Sequence, residues 1–213
     1  MKTILASGSP TRRSILENIG IDFDVIPADI DEENLAKLSL TELVCDLAQK
    51  KAQHVYTKFE QENDFIILGF DSLVGLGDEI IGKLTTKKQA FEMFQKYRGK
   101  KLTMISGISI IGRHSTSAKD SVDRRGKFFE NTDYEISYLH FKKDITNCQL
   151  NDFLDFNDWQ GKAGGICVEG ASSFLIEKVT GGWNNIRGIP MLKMNQMILE
   201  TLGRPSIKVF EKK

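Results

Sequence analysis

The chain has 213 residues, 40% of them hydrophobic and 27% charged, which suits one α/β domain, or two tightly joined lobes, around a real core. Lysine plus arginine (29) equals aspartate plus glutamate (29). That balance argues against a dedicated nucleic-acid binder, which carries a basic excess, while leaving room for a small basic pocket for a phosphate-bearing ligand.

Lys2–Ala6 reads as a short buried strand ending at the small-residue loop Ser7-Gly8-Ser9-Pro10-Thr11. Ser9 or Thr11 can cap the helix that follows, with Pro10 in its first turn and Gly20 as its stop. Phe23–Pro27 is a second strand, leading into the acidic loop Asp29-Ile30-Asp31-Glu32-Glu33. Leu40–Tyr56 is the clearest helix, with Leu43, Leu47 and Val55 on one face. Phe65–Phe70 is an apolar strand running into Asp71, and Leu73–Leu76 and Glu79–Ile81 flank the hairpin signal Gly77-Asp78.

Thr86–Tyr97 is a further helix, Leu102–Ile111 a long apolar strand, and Asp133–Phe141 an alternating one. Between these strands Arg113–Lys127 lacks apolar periodicity and reads as an exposed hairpin excursion, its basic residues being solvated surface. Asp144–Phe156 is a helix, Gly161–Gly170 a glycine-rich loop, Phe174–Val179 a strand, and Pro190–Leu202 a closing helix before Gly203. Strands alternate with helices at first and then follow one another, a pattern that predicts a mixed α/β sheet flanked by helices.

Three widely separated cysteines, Cys45, Cys148 and Cys167, form no CxxC or Cys/His cluster. They read as buried packing residues of a reducing cytosol, and no zinc site is expected. The first apolar run is too brief for a signal peptide, and no run approaches the ~20 residues that span a bilayer. The expected address is cytoplasmic, with no membrane partner.

Several stretches have the residue types for phosphate chemistry. The loop Ser7–Thr11 between strand and helix presents backbone N–H groups at a positive helix end, and Arg12 and Arg13 add planar donors. A plain capped turn with two surface arginines fits the same residues, and the P-loop spacing is missing. Asp71, where an apolar strand ends, would stand at the carboxyl edge of a sheet, where an ionised carboxylate needs a metal ion or a lysine. It can equally be a turn-forming residue.

Lys83 follows one hairpin later, and the two can share a cleft if they flank that hairpin; Lys51 on the long helix is another candidate cation. Asp31 and Glu32 offer hard oxygens suited to Mg²⁺ or Mn²⁺, or simply cap a helix. In Lys162–Gly170 the glycines let backbone approach a flat ligand, and Glu169 can accept hydrogen bonds from a base edge; a tight irregular turn is the plain alternative.

Taken in order, ILASGSPTRRSILENIG, PADIDE, AQKKA, ILGFDS with GDEIIGK, KAGGICVEG and NNIRGIP resemble the successive blocks of the Maf proteins, in register from Leu5 to Pro190. The resemblance implies a single Maf-like domain over residues 1–213, of inosine-triphosphatase-like α/β architecture with two lobes around a cleft. It implies a homodimeric nucleoside triphosphate pyrophosphatase dependent on Mg²⁺ or Mn²⁺. It places Ser7, Ser9 and Arg12 on phosphate, Glu32 and Asp71 on metal, and Asp71, Lys51, Lys83 and Arg12 in catalysis.

Thr11 and Glu169 would then face the base, with Ser72 beside the substrate. Thr11 stands where pyrimidine-type members resemble Arg and 7-methyl-GTP-type members Trp. Ser72 stands where Thr or Gln is common, and Leu84 where Pro is usual. Glu169 is similar to the 7-methyl-GTP type, pyrimidine-type members carrying Gln. An ionised Glu accepts but cannot donate, so it suits the paired N–H donors of guanine better than the N–H of uracil or thymine between two carbonyls. The expected leaning is toward guanine-type triphosphates, 7-methyl-GTP included. The alternative function is a nucleotide-binding regulator of cell division or septum formation without turnover.

Overall fold

The computed structural model describes residues 1–30, 38–114 and 126–203. β1 (Lys2–Leu5) is buried beyond its first residue. Ala6 extends its ladder by one bond, N–H to the Leu68 carbonyl at 2.9 Å. Ser9 is the N-cap of α1 (Pro10–Asn18): its hydroxyl accepts from the Arg12 N–H, and Pro10 sits at the start, where its missing donor costs nothing. Gly20, at φ 79°, turns the chain after it. β2 is only Asp24–Val25, shorter than expected, because both residues are exposed on an edge and Pro27 has no N–H to continue a ladder.

α2 (Leu40–Tyr56) has the predicted bounds, opened by a reciprocal capping box between Ser39 and Glu42. It buries Leu43, Val44, Leu47, Ala48, Ala52 and Val55. Two strand glycines let its backbone come close. A Cβ on Gly69 would lie 2.4 Å from the Ala48 carbonyl oxygen and 2.8 Å from the Ala52 Cβ, and one on Gly107 would lie 2.4 Å from the Val44 oxygen. These obstacles are largely helix backbone and cannot swing aside. Gly69→Ala is therefore expected to destabilise the fold by about 1–3 kcal/mol, read as a lower denaturant midpoint; an unchanged midpoint would mean that α2 can lift off without cost.

β3 (Phe65–Leu76) is one twelve-residue strand, longer than the segment ending at Phe70 that the apolar run suggested. Its partner changes part-way. Phe65–Leu68 pair in parallel with β1, and Val74–Leu76 pair antiparallel with β4 (Glu79–Ile81) across the Gly77-Asp78 turn. Asp71 lies inside this strand rather than at its end, but still beyond the last residue that pairs with β1.

α3 (Lys87–Tyr97) is capped by Thr86, and β5 (Lys101–His114) and β6 (Lys127–Phe141) both exceed their predicted lengths. Ladder pairing between sheet neighbours holds polar ends that local alternation does not mark. Residues 115–125 of the expected excursion lie outside the described residues, and the ends of that stretch belong to the two strands. α4 (Asn147–Asp155) begins at a Thr146/Gln149 capping box, three residues later than expected. A 3₁₀ turn takes Ala171–Leu175, so β7 is Ile176–Thr180. The short α5 (Trp183–Ile186) is too brief to show a period. α6 (Met191–Leu202) has Pro190 as its N-cap and ends on left-handed Gly203.

The sheet is seven-stranded, in the order β2-β1-β3-β5-β6-β7 with β4 on β3. Parallel pairing of β1 with β2 and β3, and antiparallel pairing at β3/β4 and β6/β7, make it mixed as expected. The chain forms two compact units: Met1–Asp71, Ser106–Glu135 and Gly188–Lys213 in the first, Ser72–Ile105 and Ile136–Arg187 in the second. The first packs Leu5, Leu16, Leu68, Phe70 and Ile198 together, and Ile67 against Ala52 and Val55. The second is aromatic, with Phe94 4.6 Å from Phe153 and 5.1 Å from Tyr97 between ring centroids. Among the described residues no helix is long and apolar enough to cross a membrane.

The cysteine expectation needs one correction. Cys45 and Cys167 are half-buried, but Cys148 is exposed, because α4 turns Leu150, Phe153 and Leu154 inward and leaves Cys148 in its first turn on the outside.

Candidate active site

The first unit gathers five of the expected residues, Ser7, Ser9, Arg12, Lys51 and Asp71. Ser7 is buried, and its hydroxyl accepts from the Ser9 N–H at 3.3 Å and from Arg12 Nη1 at 3.2 Å. Arg12 turns inward: Nε donates to the Gly188 carbonyl at 2.9 Å and Nη1 to that of Phe70 at 3.1 Å. Burial pushes its pKa down from the ordinary value, and the charge of Asp71 pushes it back up. Arg13, the other arginine of the loop, pairs instead with Glu17 on the outer face of α1 at 2.8 Å. Of the two arginines of the loop, Arg12 is thus the one that turns inward.

Asp71 is 8% exposed. Its Oδ1 accepts from Lys51 Nζ at 2.5 Å. Of the two ways to hold a shielded carboxylate, the described residues supply the lysine. Helix phase explains why Lys51 and not Lys50 does this. Lys51 is three residues beyond Ala48 and four before Val55, on the core-facing side, whereas Lys50 pairs with Asp46 at the surface. Strand alternation puts Gly69 and Asp71 on one face of β3. Where Gly69 admits the helix backbone, Asp71 meets the helix side chain. Arg12 and Lys51 thus bring two cationic side chains to Asp71.

The second unit holds Ser72, Lys83 and Glu169. Ser72 is half-buried on β3, directly after Asp71. Lys83 forms an antiparallel bridge with Ala163 in the glycine-rich turn, and the Gly164 N–H donates to the Gly82 carbonyl at 3.0 Å. Gly164 and Gly165 have φ of 61° and 68°, the left-handed region that glycine adopts without strain. A Cβ on Gly165 would lie 2.7 Å from Cδ1 of Leu84. The Tyr97 hydroxyl donates to the Gly164 carbonyl at 3.0 Å, and burial raises its pKa, so the donor stays protonated. The turn that carries Glu169 is thus pinned from two sides.

Glu169 Oε1 accepts from Arg187 Nη2 at 2.7 Å. Arg187 also donates from Nη1 to Asn184 Oδ1 at 3.2 Å. The sequence reading missed this arginine. Its signal was a lone charge among Ile186, Gly188 and Ile189, which asks for a partner.

Thr11 is half-buried in the first turn of α1. Glu32 lies outside the described residues. Among the described residues no three or more His, Cys, Asp or Glu side chains gather as a metal cluster. Mg²⁺ and Mn²⁺ do not require one, since one or two carboxylates with water and phosphate oxygens suffice. The hard oxygens of Asp71 fit such an ion.

A family model described as Maf-like protein matches residues 2–201. The chain belongs to the Maf-like family. A curated dTTP/UTP pyrophosphatase of Caldicellulosiruptor bescii is 32% identical to this Maf-like chain over 208 residues, covering 97% of it and 98% of the relative. A dTTP/UTP pyrophosphatase of Clostridium botulinum strain Kyoto is 31% identical over 198 residues, covering 92% and 95%. The match extends past both ends of the Leu5–Pro190 stretch that carries the resemblance. Within the Maf-like chain, ILASGSPTRR and AQKKA fall in the first unit, and GDEIIGK and KAGGICVEG in the second.

Proposed function

We propose that this Maf-like protein hydrolyses a nucleoside triphosphate to the monophosphate and pyrophosphate. The observation that carries the reading is Asp71, shielded beside Arg12, paired with Lys51, and placed just past the parallel β1 pairing of β3. In the reaction a water oxygen bonds to the α-phosphorus as the bond from that phosphorus to the bridging oxygen breaks, and pyrophosphate leaves. Lys51 holds Oδ1 of Asp71, and Oδ2 is the atom assigned to accept the water proton. Arg12, Lys51 and Lys83 stabilise the growing negative charge, and Ser7 and Ser9 orient the phosphate chain. Asp71 and Glu32 would hold Mg²⁺ or Mn²⁺, which when bound neutralises phosphate oxygens and acidifies water.

For the base, we infer dTTP and UTP, which the two relatives carry in their names. The guanine leaning expected from Glu169 is at odds with those names, and it rested on a carboxylate acting by itself. The test is pyrophosphate release by the purified protein from UTP, dTTP, GTP and 7-methyl-GTP, with kcat/KM for each. The two pyrimidine nucleotides are expected to lead. A lead for GTP or 7-methyl-GTP would reinstate Glu169 as a lone reader, and tight nucleotide binding without release would favour a regulator. The homodimer implied by the family resemblance belongs to the same proposal and is checked by light scattering.

A further inference from the structure

We propose that Arg187 determines base specificity: with Glu169 it forms a donor–acceptor pair that reads the edge of uracil or thymine. The inference rests on the pyrophosphatase reading and extends it to a residue outside that mechanism.

Three observations lead here. Glu169 is bound by Arg187 at 2.7 Å, and the carboxylate remains 46% exposed while the guanidinium side chain is 14% exposed. The arginine is thus spent on holding and neutralising one half-exposed carboxylate rather than on meeting solvent. Next, Asn184 orients the guanidinium through Nη1. The Arg187 Nε is buried with no hydrogen-bond partner among the described residues. A buried donor without a partner costs stability, so the guanidinium is not placed for fold stability alone. Finally, Glu169 ends the glycine-rich turn that bridges to Lys83, the residue assigned to phosphate.

The chemistry follows from donor and acceptor counts. A lone carboxylate only accepts, and it repels the carbonyl oxygens that flank the uracil N–H. A carboxylate joined to a guanidinium accepts that N–H through one group and donates to the neighbouring oxygen through the other. The pair therefore offers the two functions that a Gln amide combines in one side chain. This explains how a chain with Glu at position 169 could share a substrate class with relatives named for dTTP and UTP.

The test compares kcat/KM for UTP and GTP in the intact protein, Arg187→Met and the double variant Glu169→Gln/Arg187→Met. Arg187→Met leaves the carboxylate alone, and the UTP-to-GTP ratio is expected to fall by roughly tenfold or more. The double variant puts a neutral amide there and is expected to restore most of that ratio. A purely structural arginine would lower both substrates by one factor and give no rescue, which would overturn the proposal.

If Arg187→Met fails to fold, Glu169→Gln at its half-exposed position decides. With Arg187 present, the amide keeps an acceptor, so the ratio should hold within about threefold; a rise of about tenfold toward UTP would show the carboxylate acting alone. Release from UTP with a ranking indifferent to Arg187→Met sinks only this assignment. No release from any nucleotide by the intact protein sinks the pyrophosphatase reading and this inference with it.

Discussion

Asp71→Asn is expected to lower kcat by roughly a hundredfold or more while leaving the chain folded. Asn keeps the size of Asp and a carbonyl oxygen for Lys51 Nζ, so packing around β3 has little reason to change. What is lost is the charge. The amide cannot take a proton from water, it is a poor ligand for a hard cation, and it removes the Asp71 charge from Lys51. Removing one member of a shielded pair also costs stability. A thermal melt of the variant must accompany the kinetics, to separate a lost reaction from a lost fold. Near-full turnover by a folded Asp71→Asn protein would remove Asp71 from the chemistry and undo the site built around it.

Chelation is expected to abolish pyrophosphate release altogether, and Mg²⁺ or Mn²⁺ to restore it. The physical ground is the donor set. In the proposed assignment Asp71 and Glu32 would supply hard carboxylate oxygens, while Cys45, Cys148 and Cys167 are scattered and no Cys/His set gathers among the described residues. In the proposed reaction Lys51 and Arg12 would neutralise part of the charge that a triphosphate brings, and a divalent ion the rest. Glu32→Gln should raise the metal concentration needed for half-maximal rate more than it lowers the rate at saturating metal. Turnover that persists in a metal-free preparation would take the ion out of the mechanism and leave the protein's own cations to carry the reaction.

The elements most legible in the sequence are those with strong local causes. α2 begins and ends as its apolar spacing and the serine before it require, because a capping box and a core-facing stripe both act within a few residues. The α1 start at Ser9 and Pro10 and the Gly77-Asp78 hairpin were readable for the same reason. The amino-terminal part of β6, Lys127–Thr132, and the continuity of β3 through Asp71 and Ser72 were not. Their strand state is imposed by neighbours in the sheet, and Lys127–Thr132 carries no period that announces it. Phe174 and Leu175 look like strand residues but close a 3₁₀ turn after Gly170.

The same division runs through the candidate site. Composition and order identified which residues could serve: a small-residue loop with arginines, an aspartate after an apolar strand, lysines on a helix and after a hairpin, and a glutamate closing a glycine-rich turn. Those are properties of side chains and short spacings, and they survive without a fold. Pairing depends on the fold, and only the tertiary structure decided it. Lys51 meets Asp71, twenty residues away, because Gly69 lets α2 settle on the same face of β3. Arg12 turns in to the carbonyls of Phe70 and Gly188 while Arg13 turns out to Glu17. Glu169 is held by Arg187. A charge-assisted hydrogen bond needs its donor and acceptor within about 3 Å, and that last distance is set by backbone packing between segments far apart in the chain.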